Sequence, residues 1–175
     1  MQFQSRQQFE ASVDEVEQAM LDPDYLPFQL EHHPVLLEVE LLERSEKNGT
    51  VQRRIRYRPK PVIKSIGPRT VPPEWFAFVE SSTYDRATRT LSFTNTATTA
   101  KISRMLVNTG KLTLSPLSPT RTERTLEGEI SLKLPFLLKP LALIGEQVIR
   151  GEGLKILDGE VPVMERYVRE HLRGG

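Results

Sequence analysis

Polar and apolar positions alternate over the first three quarters of this chain, and then the spacing changes. Residues 2–10 read as a short strand. Ser12-Val13-Asp14-Glu15 has the form of a capping box, with Ser12 at N-cap and Glu15 at N3. The helix it opens carries Val13, Val16, Ala19 and Met20 on one stripe and stops at Asp22-Pro23-Asp24; a second short helix is expected over Tyr25 to Leu30. Beyond Pro34 a period of two sets in. Val35, Leu37, Val39 and Leu41 alternate with polar neighbours, Asn48-Gly49 marks a tight hairpin, and the return strand runs from Thr50 to about Arg58. Four more strands are expected over Trp75–Tyr84, Thr90–Thr98, Met105–Leu114 and Thr122–Leu134, with Asn108-Thr109-Gly110 as a bulge. From Phe136 to Leu172 the apolar spacing becomes three and four. Leu137, Leu141, Ile144, Val148, Leu154, Leu157, Val161, Met164, Val168 and Leu172 define a long amphipathic helix. Pro162 should kink or break it near Gly159.

This order of elements predicts an α+β fold. A curved antiparallel sheet of about seven strands has two short helices after its first strand, and the long C-terminal helix lies across the concave face. At 175 residues the chain is expected to form a single domain over 1–175. A Pro-rich stretch at 59–73 departs from the strand pattern yet carries apolar Val62, Ile63, Ile66 and Val71. Such a segment in a compact domain either serves function or folds back on the sheet.

The chain has no cysteine, which excludes a disulfide framework, a thiolate nucleophile and a cysteine zinc site. No apolar run reaches the roughly 20 residues of a membrane span. Met1 to Arg6 lacks the apolar stretch of a signal peptide, so a cytoplasmic location is expected. Net charge is only +1, but acids dominate from Glu10 to Glu46 and bases from Lys47 to Arg69. That asymmetry fits either an anionic partner or two neighbouring strands with opposed outer faces. No nucleotide, serine-hydrolase or metalloprotease motif appears, His32-His33 has no metal-ligand spacing, and no metal or cofactor is expected; His33, just before Pro34, is expected on a surface turn. Nucleic acid as a partner fits poorly with so small a net charge.

Strand parity sets Arg53 with Val51, Ile55 and Tyr57 on the inner face. A guanidinium buried there must be paired, either to a ligand phosphate or carboxylate or to an internal acid such as Glu80. Arg124 shares a face with Leu126, and Gly128 on that face leaves room for something bulky. Phe78 and Glu80 lie on one side of their strand, and Ile144 and Val148 face the sheet from the helix. The candidate ligand-binding set is therefore Arg53, Tyr57, Phe78, Glu80, Arg124, Gly128, Ile144 and Val148.

The element order resembles the helix-grip fold of the START and Bet v 1-like (SRPBCC) superfamily over nearly the whole chain. Two branches resemble it in local detail. PRELI/MSF1-like lipid carriers are similar in the Phe9 to Ala19 helix, the Leu42-Glu43-Arg44 to Asn48-Gly49 hairpin, and Phe78-Val79-Glu80-Ser81-Ser82. An uncharacterised bacterial branch is similar at Leu21-Asp22-Pro23-Asp24-Tyr25 and from Gly110-Lys111-Leu112 through Gly128 to Pro135. The resemblance implies non-catalytic binding or transfer of a lipid or similar amphipathic molecule between sheet and helix. It also implies a lid at Val62, Ile63, Ile66 and Val71, with transient membrane contact. Two other readings stay open: a cyclase- or hydrolase-type enzyme on a bulky apolar substrate, and a protein-interaction module with a closed cavity. Oligomeric state is not encoded in any pattern here.

Overall fold

The computed structural model describes residues 1–61, 65–66, 69–70, 72–133 and 139–174, with 65–66, 69–70, 101–102 and 139–144 described as backbone only. Strand β1 (Gln2–Phe9) leads into helices α1 (Val13–Leu21) and α2 (Tyr25–His32). Strands β2 (Leu36–Lys47) and β3 (Thr50–Pro59) follow, then a separate short pair, β4 (Ser65–Ile66) and β5 (Arg69–Thr70). Next come β6 (Phe78–Asp85), β7 (Thr90–Ala97), a single helical turn α3 (Ala100–Ser103), β8 (Leu106–Ser118) and β9 (Arg121–Leu132). Helix α4 (Lys139–Tyr167) ends in a π-helical turn, Val168–Leu172. Seven strands form one antiparallel sheet in the order β1-β9-β8-β7-β6-β3-β2.

Local chemistry accounts for the element ends. The Ser12 Oγ accepts the Glu15 N–H at 3.3 Å while Glu15 Oε2 accepts the Ser12 N–H at 2.8 Å, closing the capping box of α1. Asn48 and Gly49 both take positive φ, 52° and 76°, which lets a two-residue turn match the twist of β2 and β3. The charge asymmetry resolves across this hairpin. On the outer face Arg54 pairs with Glu43, Arg56 with Glu38 and Glu40, and Arg58 with Glu38. These exposed pairs contribute little to stability and much to register.

Three expectations need correction and a fourth is narrowed. Helix α4 runs through Pro162, so of the expected kink or break the break does not occur. The proline removes one N–H, but Val163, Met164, Tyr167 and Val168 are all buried around it, and that packing outweighs the lost hydrogen bond. Asn108-Thr109-Gly110 is not a bulge: β8 keeps register with β9 there, and the irregularity lies at Pro116/Ser118. Residues 73–76 form a 3-10 turn, so β6 starts at Phe78, because Pro72-Pro73 presets the tight turn. His33 is buried rather than on a surface turn. Its Nδ1 accepts the Val35 N–H at 3.3 Å, so Nε2 carries the proton and donates to the Ile156 carbonyl of α4 at 2.8 Å. Among the described residues, no helix is long and apolar enough to cross a membrane, which leaves strand-built spans unaddressed.

The core joins β1, α1, α2 and the second half of α4 to the sheet through Phe9, Val16, Ala19, Tyr25, Met164 and Val168. Towards the first half of α4, this packing gives way to a cavity.

Candidate functional site

Pairing register determines what lies on the concave face. One row crosses the sheet as Arg53, Ser82, Phe93, Gly110, Gly128 and Phe3, each opposite the next. The neighbouring row carries Ile55, Glu80 and Asn95 in the same way, and the third pairs Tyr57 with Phe78. Their rings stack with centroids 5.5 Å apart.

The two glycines explain the floor. A Cβ on Gly128 would sit 2.6 Å from Phe3 Cζ and 2.9 Å from the Thr109 carbonyl oxygen; one on Gly110 would sit 2.6 Å from Phe93 Cζ. Both rings therefore lie flat over glycine backbone. The room that Gly128 leaves is filled by the chain's own Phe3, and Gly128 does not line the cavity.

Between this floor and α4 lies a cavity of about 160 Å³. Phe3, Tyr25, Tyr57, Phe78 and Phe93 give it an aromatic wall, and Ile149, Gly153, Leu154 and Leu157 of α4 roof it. Of the candidate residues, Arg53, Tyr57, Phe78, Glu80 and Arg124 line it together. Val148 is half-buried and does not line it, whereas Ile149, one residue later, does. The side chain of Ile144 lies outside the described residues, as do Val62, Ile63, Val71 and the side chain of Ile66.

The two inner arginines differ sharply. Arg124 is 2% exposed and each of its three nitrogens has a partner: Nη1 donates to Glu160 Oε2 at 2.5 Å, Nη2 to the Leu157 carbonyl at 3.1 Å, and Nε to Gln7 Oε1 at 3.3 Å. Its guanidinium also sits 5.0 Å from the Phe9 ring centroid. The side chain clamps α4 to β9. Arg53 is 8% exposed, donates through Nη1 to the Met20 carbonyl at 2.5 Å, and makes no ion pair among the described residues. Its Nε has no hydrogen-bond partner, nor do Ser82 Oγ directly opposite and Asn95 Oδ1 on the next strand. Tyr25 Oη and Gln29 Oε1 on α2 are likewise unpartnered at the cavity edge. Buried polar atoms are nearly always paired, so Arg53 Nε, Asn95 Oδ1 and Gln29 Oε1, unpaired among the residues lining one cavity, stand out.

Glu80 is a diagonal neighbour of Arg53 across β3 and β6. Burial pushes its carboxyl above the usual carboxylate range; the Arg53 charge opposes the rise and the Glu160 carboxylate adds to it. Burial likewise drives the Tyr57 and Tyr25 phenols well above their ordinary value, so both remain protonated donors.

Sequence reasoning passed over Phe3, Gln29, Ser82, Phe93, Asn95 and Glu160. Two signals were present. Leu91, Phe93, Asn95 and Ala97 share one face by alternation, which puts an amide among apolar residues. Glu160 falls three residues after Leu157, on the apolar stripe of α4.

Comparison with known proteins agrees with this architecture. The model of a family described as "Protein of unknown function (DUF2505)" matches residues 4–168, and the chain belongs to that family. No curated protein matches it by sequence. Among solved structures, the Zhui aromatase/cyclase from Streptomyces sp. R1128 is similar at a TM-score of 0.66 and 16% identity, with 96% of this chain and 95% of that chain covered. Norcoclaurine synthase from Thalictrum flavum, solved in complex with dopamine and hydroxybenzaldehyde, gives 0.60 at 13% identity over 98% and 87%. A START superfamily protein from Mycobacterium smegmatis gives 0.51 at 12% over 92% and 97%. At these identities the likeness is one of fold. It is the helix-grip fold of the START/Bet v 1-like superfamily.

Proposed function

We propose that this DUF2505 member is a cytoplasmic, single-domain binder of an amphipathic, mainly apolar small molecule held between sheet and α4. The observation that carries this reading is that Arg53 Nε, Asn95 Oδ1 and Gln29 Oε1 are left unpaired on the wall of a cavity lined mainly by aromatic and aliphatic side chains. Binding pockets have that composition, apolar walls with a few convergent polar groups. Arg53 is the natural anchor for a polar head because, among the described residues, no acid forms a contact ion pair with it. Arg124 is fully engaged with Glu160 and serves the fold.

Size narrows the ligand. An apolar cavity of about 150 Å³ holds a molecule of benzene's size, so about 160 Å³ suits a compact ligand or the end of a lipid chain, not a whole diacyl lipid. Native mass spectrometry followed by organic extraction of gently purified protein tests the reading. A stoichiometric small molecule, lost in Arg53→Met, is expected; an extracted diacyl phospholipid at one per chain would overturn the compact-ligand reading.

Glu80 favours a second reading, an enzyme. A carboxyl raised by burial beside protonated Tyr57 and cationic Arg53 is equipped for acid–base chemistry on a bound apolar substrate. The interaction-module reading loses its support, because the basic stripe of β3 is matched by Glu38, Glu40 and Glu43.

A further inference from the structure

Resting on the binding reading above, we infer that the cavity is built for a one-ring aromatic acid, its ring among Tyr57, Phe78 and Phe93 and its carboxylate on Arg53. Three independent features converge on this class. Volume admits one ring. The lining is aromatic on several sides, with Tyr57 and Phe78 stacked as a wall and Phe93 laid flat on Gly110 as floor. Aromatic faces on several sides favour a planar guest over a flexible alkyl chain, because offset and edge-to-face ring contacts add to simple area burial.

Charge completes the assignment. Arg53 is more than nine-tenths buried, and among the described residues its guanidinium donates a hydrogen bond only to the neutral Met20 carbonyl. A buried cation of this kind is costly unless an anion joins it. Its unpaired Nε–H can donate to one oxygen of a carboxylate held in the cavity. Glu80, the nearest acid by register, makes no hydrogen-bonded ion pair with Arg53 among the described residues, which leaves the Nε edge of the guanidinium to the guest. A neutral ring would leave Arg53 unmatched, and an alkyl acid would waste the flat walls.

The test is isothermal titration of the full chain with four probes: benzoate, benzyl alcohol, hexanoate and decanoate. Benzoate is expected to bind at least tenfold more tightly than benzyl alcohol and hexanoate. Arg53→Met should remove that advantage for benzoate while leaving benzyl alcohol unchanged, with circular dichroism confirming the fold. If the variant does not fold, the wild-type ratio of benzoate to benzyl alcohol decides alone. Equal binding of benzoate and benzyl alcohol would overturn the acid. Hexanoate or decanoate binding as tightly as benzoate would overturn the aromatic ring while leaving an amphipathic binder in place. No heat with any probe would overturn this inference, and the extraction experiment would then judge the binding reading separately.

Discussion

Removing Arg124 should unfasten the C-terminal helix from the sheet. In Arg124→Met the Glu160 carboxylate keeps only the Gln29 amide at 3.2 Å, and Gln7 Oε1 and the Leu157 carbonyl each lose a donor. Breaking a buried ion pair on one side costs about 3–5 kcal/mol. Glu160 retains 14% side-chain exposure, which places the expected loss near the lower end, about 3 kcal/mol. For a chain of this size that corresponds to a fall of roughly 6–12 °C in Tm. The double variant Arg124→Met/Glu160→Met replaces both charges by apolar side chains and should recover at least about 1.5 kcal/mol of the summed single losses. Urea denaturation of the wild type, both single variants and the double closes the cycle. Arg53→Met is the internal control, since an unpaired guanidinium contributes little; its stability should stay within about 1 kcal/mol of wild type. A loss below about 1 kcal/mol for Arg124→Met, or strict additivity in the double, would refute the clamp.

Other expectations concern protonation and shape. Because the folded protein raises the Glu80 pKa, its favourable contribution is complete below the unfolded value of about 4.3 and is lost as pH rises through the folded value. Glu80→Gln should therefore gain on wild type in Tm as pH rises from about 4 to about 8, read from thermal melts across that range; a gap that narrows with rising pH contradicts the raised Glu80 carboxyl. Glu15 is displaced the other way, to about 2, first by the hydrogen bond from Arg173. Its contribution is present above pH of about 4.3 and fades as pH falls through about 2. Glu15→Gln should cost under about 1 kcal/mol at pH 7 and nothing near pH 2, read from acid titration of stability. Finally, a Cβ at Gly153 meets nothing within 4 Å, so Gly153→Ala should stabilise α4 by roughly 1 kcal/mol. Gly128→Ala, driven against Phe3 and the Thr109 carbonyl, should destabilise by about 1–3 kcal/mol; thermal melts that rank them otherwise contradict the packing.

Much of the fold was legible because antiparallel strands encode their faces locally. Alternation alone put Arg53, Tyr57, Arg124 and Leu126 on the inner side, and Ser12–Glu15 and Asn48–Gly49 announced a helix start and a hairpin. The site was legible only in part, because its chemistry depends on partners far apart in sequence. Arg53 and Arg124 look alike by parity, yet Glu160 lies 36 residues beyond Arg124, and its approach depends on the phase of α4. Only that approach separates a clamp from a spare charge. Likewise, Gly128 signals room but not its occupant, since Phe3 arrives from the opposite end of the chain. His33 misled for the same reason: a pre-proline histidine looks solvent-facing until a helix carbonyl from Ile156 meets it.

Phe3 belongs to an edge strand, held in the sheet by β9 alone. Side chains alternate along a strand, so a slip of β1 by one residue would swing Phe3 out to solvent and bring Gln2 or Gln4 over Gly128. The floor of the cavity would turn from a hydrocarbon ring to an amide without any change elsewhere in the sheet. Misregistered molecules would therefore lack the surface that an apolar guest needs. A guest that prefers the ring would in turn select correctly zipped chains, making occupancy a report on the alignment of the molecule's own border.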